Sequence, residues 1–582
     1  MKRTGRMIIS IYVLLGALWS CSSPKEVKVP ERPIIANPLN LNYRFQFNEP
    51  SRREAADPVL EYFKGKYYLF ASKSGGYWSS PDLSEWTYIP CESITTIEAY
   101  APTVLIHNDS IYYLGSGGDP QIFGTNNPDE DNWEPVDTKF NIGMTDPAFF
   151  KDDDGSVYLY WGCSDVDPIM GVRVDPSDGF KPIGEPVVLI EHHPEKYGWE
   201  VPGINNEEQR TGWNEGPCMI KYNGKYYLQY AAPGTQYRIY GDGLYISDDP
   251  LGPFTYVENN PFSIKPGGFI GGAGHGHTFQ DKYGNYWHVA TMIIGVRDWF
   301  ERRVGLFPTY MSETGKLHSH TVFSDYPFYI PHEKEDIENS DLSLGWNLLS
   351  YKKDVTSSSS LSGYESEKAN DEAVETWWAA ATGNPGEWWC VDLGKEQEIY
   401  ALQMNLADHE FTRKAPDSYV FYQYKVEASS DGKNGEIIID RTTNTKDMPH
   451  ELVVLDQPVK ARYIKITNTK ELQGKFSLYD LRVFGKGNGP LSEKVNEITA
   501  ERDENDARII SLEWPPIVAA DGYIVRWGTH EKELKNAEMV YKNSFNRRFF
   551  NRDSDYWFII DSFNENGVTK GEKARYVPKS KL

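Results

Sequence analysis

The stretch Asp57-Pro58-Val59-Leu60-Glu61-Tyr62-Phe63-Lys64-Gly65-Lys66-Tyr67-Tyr68-Leu69 decides the fold. An acid and a proline lead a short apolar strand, a Lys64-Gly65 turn and an aromatic strand, which together are a hairpin signal. Four further segments repeat it. They open at Ala101-Pro102, Asp146-Pro147, Glu215-Gly216-Pro217 and Gly274-His275-Gly276-His277, and each runs through a polar turn to a second strand. Aligned on the proline column the copies stand at 58, 102, 147, 217 and 277, spaced by 44, 45, 70 and 60 residues. More short strands follow in each copy, as at Gly243-Leu244-Tyr245-Ile246-Ser247. Four strands per repeat of roughly 45 residues describe a propeller blade. The reading is an all-β chain whose residues 41–331 form a five-bladed β-propeller. A β-sandwich has similar strand density but no reason to set like residues at the head of every repeat.

Composition agrees with a large β protein. The chain has 582 residues, 39% of them hydrophobic and 14% aromatic, with 38 Tyr and 17 Trp. The net charge of −24 argues against a nucleic-acid partner, which needs a basic face. One apolar run stands out, Met7 to Trp19 behind Lys2, Arg3 and Arg6. It is shorter than the ~20 residues of a spanning helix and reads as an export signal. Leu18-Trp19-Ser20-Cys21 resembles a bacterial lipobox, so Cys21 is the expected lipidated residue, 1–21 the signal and 22–40 a tether. That predicts an outer-membrane or cell-surface lipoprotein, touching the membrane only through its lipid; a periplasmic protein is the alternative. The remaining Cys91, Cys163, Cys218 and Cys390 lack any CxxC spacing, so no zinc site or disulfide framework is indicated.

The second half changes character. Residues 346–486 hold alternating strands, and Ala369-Asn370-Asp371 followed by Thr376-Trp377-Trp378-Ala379 resembles a discoidin-like (factor 5/8 type C) β-sandwich, a module that often binds sugars. Trp377, Trp378, Trp388 and Trp389 form a sugar platform or, alternating along strands, are about half buried. Gly485 to Pro490 reads as a linker. Beyond it, Trp514-Pro515 and Tyr523-Ile524-Val525-Arg526-Trp527 resemble a fibronectin type III-like domain over 491–578.

A propeller carries the first strand of each blade to its axis, so Asp57, Ala101, Asp146, Glu215 and His275 or His277 should meet at one mouth. Three carboxylates and an imidazole there would suit glycosidic hydrolysis, which needs an acid for the leaving oxygen and a base for water. Ala56-Asp57-Pro58, Thr145-Asp146-Pro147 and Asn214-Glu215-Gly216-Pro217 resemble the acidic motifs of glycoside hydrolase family 43. Tyr77-Trp78-Ser79-Ser80-Pro81-Asp82 and Gly272-Ala273-Gly274-His275 resemble its first-blade and fifth-blade signatures. The resemblance implies Asp57 as general base, Glu215 as general acid and Asp146 as the residue that orients the acid and raises its pKa. It also implies inversion, Trp78, Tyr100 and Arg302 as substrate-binding residues, and His275 beside an optional structural calcium in the channel, contacted through water. No cofactor is required.

Tyr100 stands where many members carry Trp. The insertion at about 190–212 brings His192, His193, Trp199, Glu200 and Asn205, and is expected to lie near the mouth and set specificity. Asp152-Asp153-Asp154-Gly155 lacks the acid a calcium loop needs and reads as a turn. The function expected is an exo-acting α-L-arabinofuranosidase, a monomer working on plant cell-wall polysaccharide or oligosaccharide. β-D-Xylosidase and β-1,3-galactosidase are same-family alternatives. A non-catalytic glycan-binding lipoprotein and an adhesion protein are rivals of another class.

Overall fold

In the computed structural model, residues 32–46, 52–140, 142–411 and 420–581 are described. The expected signal and Cys21 fall in 1–31, outside them. Five antiparallel sheets follow one another along the chain, four of them four-stranded and the fourth in chain order six-stranded, its blade strands joined by Cys163–Ser164 and Ser263–Ile264. Their innermost strands are Val59–Phe63, Thr103–His107, Ala148–Lys151, Asn214–Tyr222 and Gly271–Gln280. These are the five expected blades. Successive sheets pack face to face through aromatic and aliphatic layers, so interior strands such as Gly76–Ser80 are buried on both faces. All four strands of blade five come from Gly271–Gln280, Tyr286–Ile293, Arg302–Met311 and Leu317–Ser319, so the ring closes by packing rather than by strand exchange. The segment before blade one lies along blade five: Asn37 exchanges two hydrogen bonds with the backbone of Leu306, and Ile34–Ile35 pairs with Phe328–Tyr329.

The blade heads share a backbone conformation that corrects the alignment read from sequence. Asp57, Ala101, Asp146, Gly216 and His275 all have φ between 44° and 57°. Left-handed backbone is several-fold enriched in Asp, Asn and His among residues with a side chain, and freely open to glycine. The repeat therefore aligns on these five positions. Blade five's column falls at Gly276 rather than 277, and Glu215 stands one residue before its head rather than on it. Each head amide is held from the neighbouring blade. Asp57 donates to Thr291 Oγ1 (2.8 Å), Ala101 to Ser72 Oγ (2.7 Å) and Asp146 to Ser116 Oγ (2.9 Å). Blade three offers Gly162 where a hydroxyl would stand, and the Gly216 amide turns instead to Asp146 Oδ2 at 3.3 Å.

Residues 347–486 form one eight-stranded sheet system around a buried core that includes Trp378, Trp389 and Phe476. Its long strands Trp388–Leu406 and His450–Asn468 run antiparallel. The sugar platform is corrected here. Trp378 and Trp389 are buried, Trp377 packs under Arg297 of the propeller (4.9 Å), and Trp388 lies half-buried beneath Lys465. The last strands make a sandwich, with Thr499–Arg502, Ile510–Glu513 and Ser544–Arg547 in one sheet and Gly522–Gly528 central in the other. The Gly-rich connection is docked, Gly487 and Gly489 donating to Glu565 O and Asn566 Oδ1. Among the described residues no helix is long and apolar enough to cross a membrane.

Candidate active site

The blade heads open into a cavity of about 500 Å³ lined by Asp57, Tyr100, Asp146, Glu215, His275 and Arg302 among others. A second cavity of about 750 Å³, beside the last sandwich, is lined by residues such as His320, Glu338 and Lys532 and by none of the heads. Chemistry follows the heads.

Asp57 is buried and surrounded by donors. Arg302 Nη1 donates to Oδ1 at 3.0 Å, Ser72 Oγ to Oδ2 at 2.6 Å, and His275 Nδ1 stands 3.3 Å from Oδ1. Burial alone would raise its pKa, but the positive charges of Arg302 and His275 outweigh it and hold the carboxyl below its usual range. Arg302, only 2% exposed, is itself fixed by Glu54 at 2.6 Å and by Thr235 Oγ1 at 3.0 Å.

Asp146 lies at the other extreme. Burial, then the negative charges of Glu215 and Asp57, push its pKa up to about 7 against the partial relief given by His275 at 3.7 Å. Glu215 accepts from Tyr240 OH at 2.5 Å and from Cys163 Sγ at 3.1 Å. Ligand atoms of Asp146, Cys163 and Glu215 lie within 4.8 Å of one another. Burial and both carboxylates drive the Cys163 thiol far up, so it keeps its proton and serves as a donor to Glu215. Cys163 thus bonds Glu215, with Asp146 alongside. At His275 burial disfavours the charged ring, but the negative charges of Asp57, Asp146 and Glu215 outweigh it and raise its pKa.

Two sequence expectations change place. Trp78 is 1% exposed, donates to Asn42 Oδ1 and packs against Tyr88, so its ring cannot meet a sugar. Along the insertion, Trp199 and Glu200 turn inward, to Tyr256 OH (3.1 Å) and Tyr230 OH (2.6 Å), and His192 bonds Ser164 O. Arg210 and Trp213 reach the cavity instead, joined by Trp299 and Phe300. Glu54, Tyr240, Ser72 and Cys163 went unnoticed in the sequence because nothing marks them there. Each acts through a tertiary contact, Glu54 and Cys163 between blades and Tyr240 within blade four, except that a serine recurs after the second strand of blades one and two (Ser72, Ser116) and was legible as part of the repeat.

Residues 50–315 match the sequence model of Glycosyl hydrolases family 43, and residues 354–480 that of the F5/8 type C domain. The chain carries a family 43 glycosyl hydrolase domain. Similar proteins include a β-D-galactofuranosidase, xynD, of Aspergillus niger, 28% identical over 257 residues that make 38% of this chain and 68% of that one. A xylosidase/arabinosidase 43A of Humicola insolens is 31% identical over 25% of this chain and 50% of its own. An arabinoxylan arabinofuranohydrolase of Bacillus subtilis is 26% identical over 40% and 55%. The chain thus spans about two thirds of the first and about half of the other two. A solved glycoside hydrolase aligns over 75% of this chain and 99% of its own, at 19% identity and a TM-score of 0.44.

Proposed function

We propose that the family 43 domain hydrolyses a glycosidic bond in one displacement. Asp57 takes a proton from the attacking water and Glu215 gives one to the leaving oxygen. The observation that carries this reading is the divergence of acid strength inside one cavity: Asp57 held ionised by Arg302 and His275, Asp146 held protonated up to about pH 7 beside Glu215. Carboxyls whose surroundings drive them apart are the mark of an acid–base pair. Asp146 and Glu215 lie side by side in that cavity. Asp146 accepts from the Gly216 amide and from Ser116, which fixes its carboxyl beside Glu215. A purely glycan-binding protein has no use for such a separation.

The substrate we favour is a terminal α-L-arabinofuranosyl unit on arabinoxylan or a related plant polysaccharide. The activities for which the similar proteins are named support it, two of the three for arabinose release and one for a furanoside. The Humicola insolens protein also favours β-D-xylosidase as a second reading. Export through the N-terminal signal, with Cys21 as lipid anchor, fits a task outside the cell.

The test compares wild type with Glu215→Gln on 4-nitrophenyl arabinofuranoside, 4-nitrophenyl xyloside and arabinoxylan oligosaccharides. Proton donation contributes ~10²–10⁴-fold, so oligosaccharide turnover should fall by that much and release of 4-nitrophenol by far less. Equal losses on both would remove Glu215 from the acid role. No turnover by wild type, with polysaccharide still bound, would select the glycan-binding reading.

A further inference from the structure

Two loops outside the blade heads complete the cavity, and neither is held by the propeller alone. Residues 294–301 carry Trp299 and Phe300, and the 190–213 insertion carries Arg210 and Trp213. Trp299 is 69% exposed and Trp213 38%, so both present open ring surface at the mouth. Large apolar rings left in water beside a cavity lined by acids suit the face of a sugar.

The first loop is gripped by the discoidin-like module. Arg297, two residues before Trp299, donates to Tyr479 OH at 2.7 Å and to Ala407 O, and its guanidinium lies over the Trp377 ring at 4.9 Å. Tyr479 OH in turn donates to Glu301 Oε1 at 3.1 Å, which also receives Arg297 Nη1 at 2.6 Å. Tyr479 and Glu301 are fully buried, and Glu301 adjoins Arg302. The insertion is gripped by the last sandwich. Gly198 donates to Phe550 O at 3.2 Å, Arg508 reaches Pro194 O at 2.5 Å, Arg548 binds Asn206 O, and Tyr197 pairs with Asn551. The partners from the last sandwich all lie more than three hundred residues from the insertion in sequence.

We propose that both C-terminal modules are built into the active site, bracing the two walls that receive the carbohydrate beyond the cleaved bond. Arg297 and Tyr479 are positioning residues for Trp299, which stacks the sugar next to the leaving oxygen. This rests on the glycosidase reading above. The discoidin-like module then contributes to the catalytic pocket rather than acting as a separate tethered binder.

The test uses the full chain with Tyr479→Phe, Trp299→Ala and both together. Tyr479→Phe removes both hydrogen bonds of its hydroxyl, a loss that, read out through the loop, is about fivefold in affinity. Tyr479→Phe should raise KM about fivefold for an oligosaccharide with sugars beyond the cleaved bond, leaving its kcat and the kinetics on a 4-nitrophenyl glycoside unchanged. In the Trp299→Ala background the Tyr479 substitution should add nothing. Amide hydrogen exchange over 295–301 should quicken in Tyr479→Phe without substrate. Equal effects on both substrates, additive KM changes, or unchanged exchange would overturn the proposal. Should wild type hydrolyse neither substrate, the glycosidase reading fails and the exchange result alone decides the bracing.

Discussion

Gly216→Ala probes the geometry that sets the acid strengths. Gly216 is the blade-four head, with φ of 57°, and a Cβ there would stand 2.5 Å from His275 Cδ2 and 2.6 Å from its Cγ. Left-handed backbone costs a residue with a Cβ roughly 1–2 kcal/mol, a strain Asp57, Ala101 and Asp146 already bear. The overlap adds about 1–3 kcal/mol, because a ring buried among packed groups must shift. Moving His275 draws its charge away from Asp57 and Asp146, and a displacement of about 1 Å in such a site costs on the order of 100-fold in rate. Gly224, in a turn with φ of 77° and nothing within 4 Å of an added Cβ, is the matched control. Gly224→Ala carries the backbone strain alone. Thermal unfolding and kcat/KM on a 4-nitrophenyl glycoside should show both variants destabilised, Gly216→Ala the more, with activity lost only there. Equal activity in the two variants would refute the assignment of His275 to the charge balance.

Three further outcomes follow from the same contacts. Glu54→Gln removes the buried carboxylate that fixes Arg302 at 2.6 Å, and kcat/KM should fall by roughly 10–100-fold as Asp57 loses its held partner. Arg302→Lys, which keeps the charge but not the fork joining Glu54, Asp57 and Thr235, should fall comparably when assayed the same way. Trp78→Phe should lower the unfolding temperature through lost packing and the lost bond to Asn42, with KM unchanged on every substrate.

The repeat made the propeller legible, because a head acid, a proline and an aromatic hairpin are local signals. It also located Asp57 and Asp146. Glu215 was found by the same pattern but one place out of register, since sequence alone cannot see that Gly216 shares the φ of the other heads. Trp78 misled for a different reason. A strand between two blades is buried on both faces, so alternation does not mark a solvent side, and an aromatic in such a strand reads the same whether it faces core or ligand. Trp377 was likewise hidden by packing between modules far apart in sequence, and Trp199 by turning in against Tyr230 and Tyr256 of blade four. Glu54 and Tyr240 carry no motif; their roles come from contacts to Arg302 and Glu215 between segments far apart in sequence or in the blade.

The pH dependence of kcat/KM for wild type and Asp146→Asn tests the central claim most directly. Activity needs Asp57 without a proton and Asp146 with one. Wild type should therefore lose activity as pH rises through about 7, where Asp146 titrates, while its acid limb lies below the ordinary carboxylate range because Asp57 is held down. Removing the Asp146 carboxyl should take the alkaline limb away from about 7 and leave the acid limb in place. An alkaline limb that stays put, or an acid limb that moves instead, would contradict the account.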